Sequence, residues 1–310
     1  MLLLAACCGG HVLPDPPSQS GPYFSVFPVA ESDYRYIIPL GNLNPTGHTL
    51  PTDHFYVQVR LIDPRTPAEV PVMAPGDIVV TNIVITEHLT DGFSDYALDY
   101  RPATSRKFLG RFGHMYSLHP MLSDALTGVT PACHQYTTGG KDFRYCQYEV
   151  SIAVATGAPL GTVGARLGGF DVGAHDRMQP PKVYANPARY AQVDLPYAVC
   201  FVDYFFDPPR TLLETRFGNG ITLRTAAPVC GTVAQDLPGT AQGNWFREGY
   251  PDVYPEDDHL ALAHDNIDPT RPVFSVGTRA TGVTGGAYRY TPAGAGLVNR
   301  DFSAVSADGQ

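Results

Sequence analysis

The chain has 310 residues, of which 44% are hydrophobic and only 16% charged, so it can form a sizeable core in one large or two ordinary domains. Its formal net charge of −9 argues against nucleic acid as a partner, because phosphate binding requires a basic surface. Glycine (31 residues), proline (29) and aromatic residues (11%) are abundant, which predicts short β-strands joined by turns.

The first ten residues, MLLLAACCGG, are similar to the end of a bacterial lipoprotein signal, where small residues precede a cysteine that is lipidated after cleavage. Cys7 is the predicted lipidation site, and a chance Leu/Ala/Cys start is the alternative. A basic start and a full apolar stretch are missing, so we expect the true N-terminus to lie upstream. The stretch up to residue 22 is rich in proline and suits a tether. We therefore expect an exported cell-envelope protein that contacts the membrane through this anchor.

Four further cysteines lie in the body of the chain: Cys133, Cys146, Cys200 and Cys230. An export signal places them in an oxidising compartment, where an even number suggests two disulfides. Three pairings are possible, and we favour Cys133–Cys146 with Cys200–Cys230 because each closes a short local loop. Zinc binding by these cysteines is the weaker alternative, since no C-x-x-C pair occurs.

Apolar and polar residues alternate in several segments, which predicts β-strands. HFYVQVRLI (54–62) is the first clear strand, and two apolar runs separated by a PG turn follow in 71–89. SDYALDYRP (94–102) and KFLGRFGHMYSL (107–118) predict a hairpin. Residues 186–205 are expected to hold a short helix. We predict a mainly β chain, with a sandwich-like or barrel-like domain over 23–195 and a second, β-rich accessory domain over 196–310.

Four segments between about residues 40 and 176 carry a family resemblance. GHTLPTDHFYV (47–57) brings His48, Asp53 and His54 to a strand entrance, and VMAPGDIVVTNI (72–83), GRFGHMYSL (110–118) and VATGAPLGTVGARLGG (154–169) follow. In this order they resemble the lysostaphin-type zinc metallopeptidases, peptidoglycan endopeptidases with a duplicated-hybrid-motif β fold. The resemblance covers a little under half of the chain.

The resemblance implies a zinc ion that activates water, held by a His and an Asp of the first motif and by the last His of a closing H-x-H. His48 and Asp53 are the implied ligands of the first motif. Four residues separate them where the family has three, so His54 is the alternative ligand. The GRFGHMYSL motif implies a catalytic role for His114 beside the metal-bound water.

The expected H-x-H is absent, because GGFDVGAHD follows the Gly-rich segment. Asp171 stands near the first position, as a substitute ligand or a partner that orients a histidine. Gly173 stands near the second and cannot ligate through a side chain. We expect His175 and Asp176 to lie in a solvated turn, and His88 matches no motif.

These observations leave three hypotheses about function. The first is a non-catalytic lipoprotein with a degenerate peptidase domain, which binds or scaffolds at peptidoglycan or a partner protein and needs no cofactor. The second is an active zinc peptidoglycan hydrolase with altered ligands, in which an aspartate oxygen replaces a histidine nitrogen. The third, a glycan-binding β module, depends only on Trp245 and the tyrosine-rich composition. We expect the first.

Overall fold

The computed structural model describes residues 20–45, 47–250, 252–280, 282–296 and 298–308. The predicted lipidation site, Cys7, lies outside these residues. The described residues form two short α-helices, α1 (Pro120–Asp124) and α2 (Pro209–Glu214), and β-strands in the order β1 Tyr34–Ile38, β2 His54–Val59, β3 Leu61–Asp63, β4 Thr66–Pro67, β5 Val70–Met73, β6 Ile78–His88, β7 Phe93–Pro102, β8 Phe108–Leu118, β9 Ala132–Thr138, β10 Lys141–Val154, β11 Pro159–Val163, β12 Gly169–Asp176, β13 Gly243–Trp245, β14 Leu260–His264, β15 Pro272–Val276 and β16 Gly286–Arg289.

The predicted mainly β architecture is confirmed. Within the described part of the chain, antiparallel strands build a ten-stranded sheet in the order β1-β2-β12-β8-β7-β6-β10-β9, with β11 pairing with both β5 and β8. A four-stranded sheet has the order β13-β14-β15-β16, and β3 pairs with β4. The predicted hairpin of residues 94–118 is also confirmed, because β7 and β8 pair antiparallel.

The short helix expected in 186–205 is instead a series of 3₁₀ turns at Pro187–Tyr190, Leu195–Tyr197 and Phe201–Tyr204. Prolines in the first turn of two of them fit this outcome, since proline is accepted at a helix start but not in its interior. A helix that began at Pro187 could not continue through Pro196, which is one physical reason for the difference.

Strand β2 shows how the large sheet divides into an apolar and a polar face. Phe55, Val57 and Val59 are fully buried, whereas the alternate residues His54 and Tyr56 are only partly buried. Burying each large apolar side chain contributes about 1.5–3 kcal/mol, which fixes the register of the strand. The histidine and the tyrosine are thereby directed to the opposite face, where the candidate site lies.

The four-stranded sheet packs beside the segment that leads into β2. Ser275 Oγ donates a buried hydrogen bond to the carbonyl oxygen of Thr49 at 2.7 Å, and Asn266 Nδ2 donates one to Pro39 at 2.8 Å. Buried apolar residues of both parts of the chain belong to one continuous core cluster. The boundary near residue 195 stays a prediction.

Two disulfides confirm the predicted pairing. Cys133–Cys146 joins directly opposed residues of β9 and β10, and Cys200–Cys230 joins residues separated by 30 positions. They indicate an oxidising, exported environment. In the part of the chain that the structure describes, no helix has the length and apolar character needed to cross a membrane.

Candidate functional site

The candidate site lies on the polar face of the large sheet, where β2, β12 and β8 run side by side. On β12, Asp171 lies opposite Tyr56 of β2 and Gly113 of β8. A Cβ atom at Gly113 would lie 3.1 Å from the Cβ of Asp171, which is closer than most real contacts of this kind. The glycine therefore leaves the space that the Asp171 side chain fills.

His114 is brought to this face by a β-bulge in the middle of β8. Two residues of β8, Gly113 and His114, lie opposite one residue of β7 at this point. The φ angle of His114 is 58°, in the left-handed region that L-residues rarely adopt. A bulge bends its strand and redirects a side chain. Here it directs the imidazole of His114 towards Asp171.

Two histidines and three aspartates form a connected group, which we call the His–Asp cluster: Asp53, His54, Asp95, His114 and Asp171. Asp171 Oδ2 lies 3.6 Å from Nε2 of His54 and 3.4 Å from Nε2 of His114. On the far side of each ring, His54 Nδ1 is 2.9 Å from Asp53 Oδ1, and His114 Nδ1 is 2.5 Å from Asp95 Oδ2. Each imidazole therefore lies between two carboxylates.

His175 extends the cluster inwards, contrary to its expected place in a solvated turn. Its side chain is 8% exposed, and its Nε2 is 2.9 Å from Asp53 Oδ2. Asp176 is fully buried and accepts a hydrogen bond from Tyr204 Oη at 2.6 Å. The reason for the difference is that β12 continues through both residues, so a paired strand replaces the expected turn.

His88, which matched no motif, extends the cluster on the other side. Its Nε2 lies 3.4 Å from Asp95 Oδ2, and its ring stacks on Phe93 with 3.9 Å between ring centroids. Asp95 therefore lies between His88 and His114. No sequence motif pointed to His88 or Asp95, because each lies in a polar stretch of its strand beside Glu87 or Ser94.

His48, the first of the implied metal ligands, lies at the edge of the cluster. Its ring centroid is 5.1 Å from that of His54, and its Nδ1 is 3.8 Å from Glu256 Oε1. Gly173 pairs with His54 on β2 and with Arg111 on β8. The structure thus brings four of the predicted site residues together, with His48 beside them and no side chain at position 173.

Neighbouring charges shift the pKa of His114 and that of Asp53. The negative charge of Asp171 is the main cause that raises the pKa of His114 to about 9; the hydrogen bond to Asp95 adds to this, and burial opposes it. Burial would raise the pKa of Asp53, but hydrogen bonds from His175 and His54 hold it well below its ordinary value. At neutral pH His114 is therefore an imidazolium whose Nδ1 donates to Asp95 Oδ2 and whose Nε2 faces Asp171. In this form neither nitrogen has a lone pair for a metal or a proton.

The zinc site that the resemblance implies is not assembled in this arrangement. Among the described residues, no group of three or more His, Cys, Asp or Glu side chains is placed so as to hold a metal ion. Asp53 is bonded to two histidines, and His48 faces Glu256. Asp171 Oδ1, an atom of the cluster, is buried without a hydrogen-bond partner and can accept a hydrogen bond from a ligand.

Among the described residues of the C-terminal part, no second cluster of this kind surrounds Trp245. Its indole is 39% exposed, and Nε1 donates to the carbonyl oxygen of Ala241 at 2.7 Å. His259 accepts a hydrogen bond from the backbone N–H of Arg247, whereas His264 faces Asp301, so the two histidines have separate partners. These contacts hold the segments around Trp245, His259 and His264 in place.

Comparison of the chain with protein-family models, with curated proteins and with solved structures found no match. The lysostaphin-type resemblance therefore stays an expectation that rests on the four sequence segments. The geometry of the His–Asp cluster is observed in the structure and does not depend on this resemblance.

Proposed function

We propose that this is an exported, lipid-anchored cell-envelope protein that binds peptidoglycan stem peptides at the His–Asp cluster without cutting them. The observation that carries the proposal is that the histidine nitrogens of the cluster already have neighbours. Each Nδ1 is hydrogen-bonded to a carboxylate, His54 Nε2 is hydrogen-bonded to Tyr56 Oη at 3.1 Å, and His114 Nε2 faces Asp171 Oδ2 at 3.4 Å. A hydrolase needs a free base, or a metal with an open position. Here His54 and His114, which would serve those purposes, are held by Asp53, Tyr56 and Asp95.

Exposure of the polar face supports a binding role. His114 exposes 41% of its side chain, and Arg111, on the same strand, exposes 42%. Arg111 is paired with Asp99 at 3.3 Å, which leaves guanidinium donors for a ligand carboxylate. A face that offers cations and carboxylates side by side suits a peptide with both kinds of charge.

The anchor and the envelope location belong to the same proposal. The two disulfides support export, and the lipobox-like start supports lipidation at Cys7. Palmitate labelling of cells that express the protein tests this. We expect label in the wild type and none in Cys7→Ala; equal labelling of both would exclude Cys7 as the anchor.

The binding claim is tested by calorimetric titration with soluble muropeptides that have intact peptide stems. We expect saturable binding that Asp171→Asn weakens about tenfold or more, because a hydrogen bond to a charged group contributes about 1.5–3 kcal/mol. Asp63→Asn, on the remote β3–β4 turn, is the matched control and should bind like the wild type. Equal affinity for all three proteins would remove the cluster from the binding site.

The second candidate is a zinc hydrolase with a rebuilt ligand set, and one observation favours it. In His54 and His114, each Nδ1 is held by a carboxylate while each Nε2 points to the same oxygen of Asp171, which is the supporting pattern of many metal-bound histidines. Zinc analysis after dialysis separates the candidates. Two results would establish the enzyme. The wild type would hold one zinc per chain and release muropeptides, and His54→Ala and Asp171→Ala would each lose both the zinc and this release.

A further inference from the structure

A polar cavity of about 320 Å³ lies in the C-terminal part, between the segment that precedes β13 and the loop that follows β14. This volume is at the lower end of the range for small-ligand sites. Most of the residues that line it are polar, and they include Arg224, Gln235, Gln242 and Asn266. No residue of the His–Asp cluster lines this cavity, so a ligand in it would be held by a different set of groups.

Arg224 is a buried cation that no carboxylate of the described residues contacts. It is only 6% exposed, and burial lowers the pKa of its guanidinium, which the negative charge of Asp265 opposes. Its Nε donates to the carbonyl oxygen of Pro228 at 2.9 Å, and its Nη1 donates to that of Asn266 at 2.8 Å. Two of its five N–H groups are thereby used, and the other three have no partner in the described part of the chain. A buried charge without a direct partner is unfavourable, so a bound anion would stabilise it.

The two acidic residues that line the cavity, Asp236 and Asp265, are bonded to other donors. Asp265 Oδ2 lies 2.5 Å from Arg289 Nε, and its Oδ1 accepts two backbone N–H groups of the following turn. Each oxygen of Asp236 accepts one backbone N–H group, at 3.0 and 2.9 Å. Neither carboxylate is bonded to Arg224. Their charges still act at the cavity and disfavour a ligand with two negative charges.

We infer that this cavity is a second ligand site, which binds a single carboxylate group through the free N–H groups of Arg224. The planar guanidinium matches a carboxylate, which accepts two parallel hydrogen bonds from it. Asp236 and Asp265 favour such a monoanion over phosphate or sulfate. A small organic acid and the C-terminus of a short peptide present the same group, and both fit this chemistry. The site goes beyond the proposed function and does not depend on it.

Calorimetric titration of the whole chain at constant ionic strength tests the chemistry with three probes: propionate, N-acetyl-alanyl-alanine, and the same dipeptide with its C-terminus amidated. We expect saturable binding of a carboxylate and binding of the amide that is weaker about tenfold or more, because hydrogen bonds to charged groups are the stronger ones. Binding of propionate would assign a small acid, and binding of the free dipeptide alone would assign a peptide C-terminus. No binding of either carboxylate, equal binding of the amide, or equal binding of inorganic phosphate would overturn the inference.

Variants locate the bound carboxylate. Arg224→Gln should weaken its binding about tenfold or more, because the charge is lost. Ala234→Phe keeps the arginine but reduces the cavity, so it should weaken binding too, and it decides the test if Arg224→Gln does not fold. Arg35→Gln is the matched control, since Arg35 is an exposed arginine that also donates to a backbone carbonyl, at 3.1 Å, and it should bind like the wild type. Wild-type affinity in Ala234→Phe, or a loss of binding in Asp171→Asn instead, would overturn the inference, whether or not muropeptides bind.

Discussion

Replacing His114 by glycine should leave the protein more stable than replacing it by alanine. Both variants lose the same contacts with Asp95 and Asp171, so their difference isolates the backbone. At a φ of 58°, an L-residue costs about 1–2 kcal/mol more than glycine. Glycine in a strand costs roughly 0.5–1 kcal/mol in lost chain freedom. The net preference for glycine is therefore about 0.5–1 kcal/mol.

Urea unfolding followed by fluorescence measures this difference. Tyr116, two residues further along β8 and 42% exposed, is the matched control because its backbone lies outside the left-handed region. At Tyr116 alanine should be more stable than glycine by about 0.5–1 kcal/mol. The sign of the difference should thus reverse between the two positions. Alanine more stable than glycine at both would refute the bulge that directs His114 to Asp171.

Two further predictions concern stability. Serine at both Cys133 and Cys146, which are 13 positions apart, should lower the free energy of unfolding by about 2–4 kcal/mol in denaturant titrations, and free thiols in the unreduced wild type would contradict the pairing. Burial would raise the pKa of Asp265, but the hydrogen bonds from Arg289 and from the backbone N–H groups of Asp268 and Ile267 together lower it. Its stabilisation is therefore present above the ordinary value of 3.8 and is lost as the pH falls below it. Asp265→Asn should therefore be less stable than wild type at neutral pH, with a gap that narrows in acid; a constant gap would contradict this.

Much of the fold follows from local patterns. The hairpin of β7 and β8 is visible as alternation on both sides of a turn, and the disulfides follow from short separations between cysteines. The meeting of His54, His114 and Asp171 follows from the order of the motifs, because each lies on one of three strands that are adjacent in the sheet.

The positions of the remaining site residues depend on structural features that are not visible in a local sequence pattern. The bulge that aims His114 at Asp95 shifts the register by one residue, and alternation alone does not indicate where such a shift occurs. His175 extends the cluster because β12 continues through the residues where the sequence predicted a turn. Glu256 reaches His48 across a separation of about 200 positions, through packing of the second sheet.

The central claim, that the cluster binds peptidoglycan peptides without cutting them, is tested most directly with intact cell walls. Purified peptidoglycan is incubated with the protein and with zinc at one equivalent per chain, the wall is sedimented, and both fractions are analysed. We expect the protein in the pellet and no soluble muropeptides above a protein-free control. Soluble muropeptides that accumulate with time and disappear in Asp171→Ala, or protein that stays in the supernatant, would contradict the claim.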